Sequence, residues 1–181
     1  KGNVHNFTYD AYGLLVRDDN PAGGFTTLAG TSTASTKQEV LTTALGRMST
    51  YLTEYLATGD QRQTITTPTG SQSITLTKTD GSKQITMQDG TTSSVTLGID
   101  PRFGALVYIP GSTTINTPSG LTQYTTHTRS ASTDPTNLLS LISQTDTLSI
   151  NSRVYTTTYN ASLKTYTLTT PAGRSSSATI D

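Results

Sequence analysis

His5 and His127 are the two side chains of the sequence that are suited to act as a general base near neutral pH. Serine and aspartate residues lie near both, but a Ser–His–Asp triad also needs a sharp turn that presents the serine. The sequence contains no Gly-x-Ser-x-Gly motif of that kind, and the histidines are not spaced as a pair of metal ligands. We therefore predict that the chain is not an enzyme, that it has no catalytic residue, and that both histidines are surface or strand-pairing residues.

The carboxylates form no recognisable metal-binding pattern. Asp18 and Asp19 offer oxygen ligands for calcium, yet no segment has the spacing of a calcium-binding loop with its terminal glutamate. Asp80 and Asp89 each precede a glycine, which is the usual pair of a tight hairpin turn. The absence of cysteine excludes thiolate zinc sites and cysteine nucleophiles. We predict no metal ligands, no cofactor-binding residues and no cofactor.

The aromatic residues are mostly tyrosines, nine against three phenylalanines and no tryptophan. Exposed tyrosine rings beside Asp or Asn would suit a sugar, whereas packing between neighbouring strands is their more ordinary role. The tyrosines in question are Tyr51, Tyr55, Tyr108, Tyr124, Tyr155, Tyr159 and Tyr166. Two glycosylation sequons, Asn6-Phe7-Thr8 and Asn160-Ala161-Ser162, matter if the chain enters a eukaryotic secretory pathway. Asn160 is also explained as a turn residue.

The composition predicts which secondary-structure elements carry these groups. Of 181 residues, 41 are threonine and 20 are serine, while 31% are hydrophobic and 13% are charged. Threonine favours strands, so we predict an all-β protein with little core.

Twelve basic residues balance twelve acidic ones, which gives no electrostatic surface for nucleic acid. No apolar stretch approaches the roughly 20 residues that span a bilayer. We expect no nucleic-acid partner and no membrane span.

A strand-and-turn motif recurs along the chain. The letters TITTPTG at 64–70 reappear as TINTPSG at 114–120 and as TLTTPAG at 167–173, and a shorter copy, NPAG, lies at 20–23. The four prolines are 47, 50 and 53 residues apart, a spacing typical of repeat proteins. Proline fixes φ at the second position of a β-turn, and glycine suits its end. The repeats therefore predict strands joined by the same kind of turn.

Two dipeptides predict two-residue hairpin turns. Asp80-Gly81 and Asn151-Ser152 both lie between segments in which apolar and polar residues alternate. A type I′ turn at Asp80-Gly81 would set Leu76 opposite Ile85 and Ile74 opposite Met87, and a two-residue turn at Asn151-Ser152 would set Leu148 opposite Tyr155.

Residues 36–57 are ambiguous between helix and strand. Leucines at helical spacing and Thr36 with Glu39, which resemble a capping box, indicate a helix. Gly46 and several threonines disfavour it. We favour two strands joined at Gly46.

The sequence thus predicts one segment, 1–181, folded as an antiparallel meander of β-hairpins. Its repeat turns are expected near 10–23, 43–70, 100–120 and 160–173. The residues assigned to turns are Asp10, Gly13, Pro21, Gly23, Gly46, Pro68, Gly70, Asp80, Gly81, Asp89, Gly90, Asp100, Gly104, Pro118, Gly120, Asn151, Pro171 and Gly173.

Three motifs resemble the YD-repeat, or RHS-repeat, family: Tyr9-Asp10-x-x-Gly13 before an apolar strand, Ala-Leu-Gly-Arg at 44–47, and Thr-Pro-Ala-Gly-Arg at 170–174. The copies span almost the whole chain but are degenerate. Tyr9-Asp10 alone keeps the dipeptide that names the family, and Thr43 stands where aspartate is common. The resemblance implies a β-hairpin ribbon that winds into a hollow shell. That shell encloses an effector in RHS proteins and toxin-complex subunits and forms part of an adhesion ectodomain in teneurins.

From this resemblance we expect a non-enzymatic structural segment of a large RHS-type protein, acting as shell or scaffold around a toxin effector. Its expected partners are neighbouring repeats of the same or identical chains, and an encapsulated effector. Two alternatives stay open: a carbohydrate-binding or adhesin module, with carbohydrate as partner, and the repeating subunit of an extracellular filament. Low charge and abundant hydroxyls favour an extracellular or cell-surface location.

Overall fold

The computed structural model describes residues 4–180, and within that range it contains fifteen β-strands and no helix. The predicted all-β fold class is therefore confirmed. The described residues contain no helix that is long and apolar enough to cross a membrane. The strands are β1 (Asn6–Tyr9), β2 (Leu15–Asp19), β3 (Phe25–Ser32), β4 (Thr36–Thr43), β5 (Met48–Tyr55), β6 (Gln61–Thr66), β7 (Gln72–Thr77), β8 (Lys83–Thr86), β9 (Thr92–Asp100), β10 (Gly104–Asn116), β11 (Thr122–Asp134), β12 (Asn137–Ile150), β13 (Arg153–Asn160), β14 (Thr165–Thr169) and β15 (Ser175–Thr179).

The chain divides into two compact units. The first contains the residues up to 79 together with Ile85–Gly90, and the second contains Asp80–Gln84 and the residues from 91 onward. In the first unit, β1 to β7 pair antiparallel in chain order. In the second, β9 to β15 do the same. Each unit is therefore the predicted antiparallel meander, in which every strand pairs with its neighbours in sequence.

The ambiguous segment 36–57 forms strands, as favoured. β4 and β5 pair from Thr36↔Glu54 to Thr42↔Met48. The apparent helical spacing of the leucines arises because Leu45 lies in the turn between these strands, where its side chain is 82% exposed. A leucine in a turn contributes to a sequence pattern without contributing to a packed face.

Neither unit has a conventional hydrophobic core. Ile109 is the one hydrophobic side chain that is buried among the described residues. Many large apolar side chains are exposed, including Leu106 at 90% and Tyr124 at 50%. Since a sheet buries apolar surface only against another layer, these units are held mainly by the hydrogen bonds between strands and by contacts between side chains of adjacent strands.

Candidate functional site

Seven turns share one backbone geometry. The carbonyl of the first residue accepts a bond from the N–H of a glycine three residues later, and the N–H of the first residue donates to the carbonyl of the fifth; the N···O distances are 2.8–3.1 Å. The glycines have φ between +72° and +87°, which suits a residue without a side chain. This is a type I turn followed by a left-handed glycine. The glycines are Gly13, Gly23, Gly46, Gly59, Gly70, Gly120 and Gly173.

In five of the seven turns, the side chain of the first residue accepts a hydrogen bond from the backbone of the turn. Asp10 Oδ1 accepts bonds from the N–H groups of Tyr12 and Leu14, each at 2.9 Å. Asn20 Oδ1 does the same for Ala22 and Gly24, at 2.9 and 3.0 Å. Thr43, Thr117 and Thr170 accept one N–H each, at 3.1–3.2 Å. Aspartate, asparagine and threonine recur at this position because a short polar side chain can satisfy the backbone of the turn.

The turns that contain proline connect equivalent pairs of strands. Pro21, Pro68, Pro118 and Pro171 follow the first residue of the turns after β2, β6, β10 and β14. Four strands separate each of these turns from the next, which explains the spacing near 50 residues.

The Asp-Gly dipeptides form a different turn from the one predicted. Of the residues Asp80 and Gly81, only Gly81 has a positive φ, +80°, whereas a type I′ turn needs a positive φ at both positions. The dipeptide lies in a five-residue connection between Thr77 and Lys83, so the predicted type I′ turn is wrong. Asp89 precedes Gly90 in a turn where the Gly90 N–H bonds to the carbonyl of Met87.

Asn151 and Ser152 do form the predicted two-residue turn. Their φ values are +46° and +67°, and the strands on either side pair Ile150↔Arg153 and Leu148↔Tyr155. Asn151 also bonds through its side chain, accepting the N–H of Tyr124 at 2.8 Å.

Asp100, one of the residues assigned to turns, is the most buried described side chain, with 1% of its surface exposed. Its Oδ1 accepts the N–H of Arg102 at 2.8 Å, at the start of the turn that leads to Gly104. Its Oδ2 accepts a bond from Arg129 Nη1 at 3.0 Å. The residue therefore shapes a turn and also anchors a network of charged side chains.

The charged network continues across β11 and β12. Arg129 and Asp146 are opposite each other in register, and Arg129 Nε donates to Asp146 Oδ1 at 2.6 Å. Gln144 Nε2 donates to Asp146 Oδ2 at 2.7 Å. His127 Nε2 lies 3.1 Å from Asp146 Oδ1. A cation thus bridges two carboxylates, and each carboxylate has further hydrogen-bond partners.

The network shifts the pKa values of its members. Burial acts to raise the pKa of Asp100, but the bonds from the Arg102 backbone and the Arg129 side chain, with the charges of both arginines, outweigh it and lower this pKa. At Asp146 burial is likewise outweighed by Arg129, Gln144 and the charge of His127, so its pKa is lowered too. The bond to Asp146 raises the pKa of Arg129. All three groups are therefore held in their charged forms.

His127 has partners that the sequence did not suggest, although they do not make a catalytic triad. Its Nδ1 lies 3.2 Å from the carbonyl oxygen of Pro110, and its Nε2 faces Asp146. Both ring nitrogens thus lie within hydrogen-bond distance of an oxygen acceptor. The ring borders a cavity of about 230 Å³, which is lined by Thr113, Thr125, Leu148 and other residues of the second unit.

The remaining candidates, His5, Asp18 and Asp19, lie in the first unit. His5 Nδ1 is 3.5 Å from Asp18 Oδ1, and Asp19 forms an ion pair with Arg17 at 2.7 Å. The adjacent carboxylates considered for calcium therefore have separate partners. Among residues 4–180, no group of three or more His, Cys, Asp or Glu side chains is placed to hold a metal ion.

The tyrosines do not form a single aromatic surface. Tyr159 and Tyr166 pack across β13 and β14, with ring centroids 4.7 Å apart and an angle of 34° between the ring planes. Tyr155 faces Leu148. Four more are each 44–56% exposed: Tyr51 and Tyr55 on β5, Tyr108 on β10 and Tyr124 on β11.

A meander of antiparallel hairpins, joined by one recurring glycine turn and largely without a core, defines a β-hairpin repeat protein of the YD/RHS type. The model of the Teneurin YD-shell family matches residues 1–176. The chain belongs to this family, and the predicted family resemblance is confirmed. Comparison with individually curated proteins gives no match.

Proposed function

We propose that the chain is a non-enzymatic structural segment of a large secreted or cell-surface protein, in which it forms part of a shell or scaffold. The observation that carries this proposal is the near absence of a core. Ile109 is the one buried hydrophobic side chain of the described residues, whereas side chains such as Leu14 and Leu168 remain 65% and 42% exposed. Apolar surface of this extent is typical of a face that another part of an assembly covers.

The edge strands support the same proposal. Among the described strands, β15 pairs with β14 alone, and all five of its residues are exposed. Its sequence, SSSAT, contains no charge and no proline. Natural sheets usually protect a free edge with such residues, so we infer that β15 pairs with a neighbouring repeat. β1 is similarly exposed and pairs with β2 alone in the described part of the chain.

The charged network supports a structural rather than a catalytic role. Asp100 and Asp146 are both held ionised by Arg129, and His127 already faces two oxygen atoms. Groups that are mutually satisfied in this way fix the pairing of β11 with β12 and the turn after β9. The family assignment and the uncharged, hydroxyl-rich composition support a cell-surface or extracellular location.

The test compares the 181-residue chain with a longer polypeptide that carries its native flanking repeats. We expect the chain alone to associate, or to unfold at a clearly lower temperature, because neighbouring repeats no longer cover its faces and edges. Light scattering and thermal unfolding followed by circular dichroism measure both properties. A monomeric chain that unfolds cooperatively at the same temperature as the longer polypeptide would show that this segment is complete by itself.

A further inference from the structure

The connection between β13 and β14 contains the sequon Asn160-Ala161-Ser162. Asn160 is the last residue of β13, and its side chain is exposed, as are those of Ser162 and Leu163. The turn is closed locally: Ser162 Oγ donates to Asn160 Oδ1 at 2.8 Å, and the N–H of Leu163 donates to the same oxygen at 3.2 Å. Asparagine, the hydroxyl residue two positions later and the turn between them thus form one hydrogen-bonded unit.

We propose that Asn160 is an acceptor for N-linked glycan. The proposal rests on the secreted or cell-surface location given above, since a chain meets the transferase only on that route. The group transferred to Asn160 is an oligosaccharide, and its donor is a lipid diphosphate that carries this oligosaccharide.

The amide of Asn160 has its reacting atom available. Both described hydrogen bonds of the side chain are accepted by Oδ1, so Nδ2 has no partner among residues 4–180. In the transfer, Nδ2 forms a bond to C1 of the first sugar while the bond from C1 to the diphosphate oxygen breaks. The lipid diphosphate leaves with the electron pair, and Nδ2 gives up one proton to a base of the transferase. The hydroxyl of Ser162 is not consumed.

The folded turn accommodates the product. The backbone bonds of this connection join Ala161 N–H to the Ile142 carbonyl at 3.0 Å and Lys164 N–H to the Ala161 carbonyl at 3.2 Å. Neither of these bonds uses the side chain of Asn160. A glycan on the exposed amide nitrogen therefore leaves the pairing of β13 with β14 intact.

The second sequon provides an internal comparison. Asn6 and Thr8 lie within β1, paired with Asp19 and Arg17 of β2. The structure gives no hydrogen bond between the side chains of Asn6 and Thr8, whereas the side chains of Asn160 and Ser162 are joined at 2.8 Å. The local turn that links amide and hydroxyl at 160–162 is thus missing at Asn6. We expect Asn160 to be occupied in a larger fraction of molecules than Asn6.

The test expresses the full chain behind a secretion signal in a eukaryotic host and measures the occupancy of both asparagines by peptide mass spectrometry. We expect glycan at Asn160, its loss in Ser162→Ala, and its retention in Ser162→Thr, which keeps the hydroxyl. Circular dichroism of the secreted variants checks that they fold. Thr8→Ala is the matched control and should leave Asn160 occupied.

Two results would overturn the proposal: Asn160 unmodified in the recovered chain, or Asn6 occupied more fully than Asn160. If Ser162→Ala fails to fold, two other variants still test the proposal: Asn160→Gln should lose the glycan, and Ser162→Thr should keep it. Occupancy in this host does not depend on whether the chain forms a shell. Failure here is therefore distinct from failure of the proposed function, which the association and unfolding measurements detect.

Discussion

Asp100 is almost fully buried in a sheet whose other described residues are largely accessible, and two arginines and a backbone N–H compensate its charge. Arg129 then extends the compensation to Asp146, which also contacts His127. The sequence did not reveal this network, because Asp100, Arg129 and Asp146 are separated from one another by 17 to 46 residues. Arg129 and Asp146 meet because the register of β11 with β12 places them opposite each other.

Replacing Asp100 by alanine should lower the free energy of unfolding by about 3 kcal/mol, because Arg102 and Arg129 lose a buried acceptor. Asp18→Ala is the control, since that carboxylate is 40% exposed and its described contact is His5 at 3.5 Å. It should change the free energy by less than about 0.5 kcal/mol. Urea denaturation followed by circular dichroism measures both variants. Equal effects would mean that the network adds nothing beyond an exposed ion pair.

Acid should destabilise the second unit through the same carboxylates. The pKa values of Asp100 and Asp146 are lowered in the folded chain, whereas an unfolded aspartate titrates near pH 3.9, an approximate reference value. Their contribution to stability is therefore complete above that pH and is lost as the pH falls through the lower folded values. Unfolding measured between about pH 6 and pH 2 should show this loss, and Asp146→Asn should make it shallower. An unchanged slope in Asp146→Asn would contradict the assignment.

At the scale of the elements, one kind of turn makes seven of the fourteen connections between the described strands, and the residue that begins it decides whether the sequence predicts it. The turns that begin with Asp, Asn or Thr are recognisable because the first side chain accepts a backbone N–H. The turn from Leu56 to Asp60 has the same backbone bonds but was missed, since leucine has no acceptor and no proline follows it. The type I′ prediction at Asp80-Gly81 was wrong because the same dipeptide also fits the longer turn, where only the glycine needs a positive φ.

The two kinds of turn should respond oppositely to one substitution. Ser152→Gly should raise the free energy of unfolding by about 0.5–1 kcal/mol, because Ser152 has a φ of +67°, which glycine adopts without strain. Ser119→Gly should lower the free energy of unfolding by a similar amount. Ser119 has no positive φ, and its hydroxyl bonds to Thr117 Oγ1 at 2.8 Å. Glycine would lose this bond and would add conformational freedom to the unfolded chain. Thermal or urea unfolding of the two variants gives the signs. The same sign for both would contradict the assigned turn types.

At the scale of the whole molecule, the sequence predicted the class of fold because composition, alternation and repeated turns all indicate strands paired with their sequence neighbours. It also predicted the thin core, since few residues are large and apolar. The edges follow from the same prediction, because the first and last strands of a meander each have only one neighbour in sequence. β15 is one of these edges, and its residues, SSSAT, are smaller than the residues TYTLT of its partner β14.

The free edge at β15 leads to a prediction about association. A lysine on an edge strand disfavours pairing with another strand, because its charge would be brought against the incoming chain. Ala178 lies on β15 and Ala172 lies in the turn between β14 and β15, and both are exposed. Ala178→Lys should therefore weaken self-association of the chain, whereas Ala172→Lys, which adds the same charge away from the edge, should not. Sedimentation velocity over a range of concentrations measures the difference, with circular dichroism to check that both variants keep their strands. Equal weakening by the two lysines would indicate general charge repulsion and would leave the edge of β15 without a role in assembly.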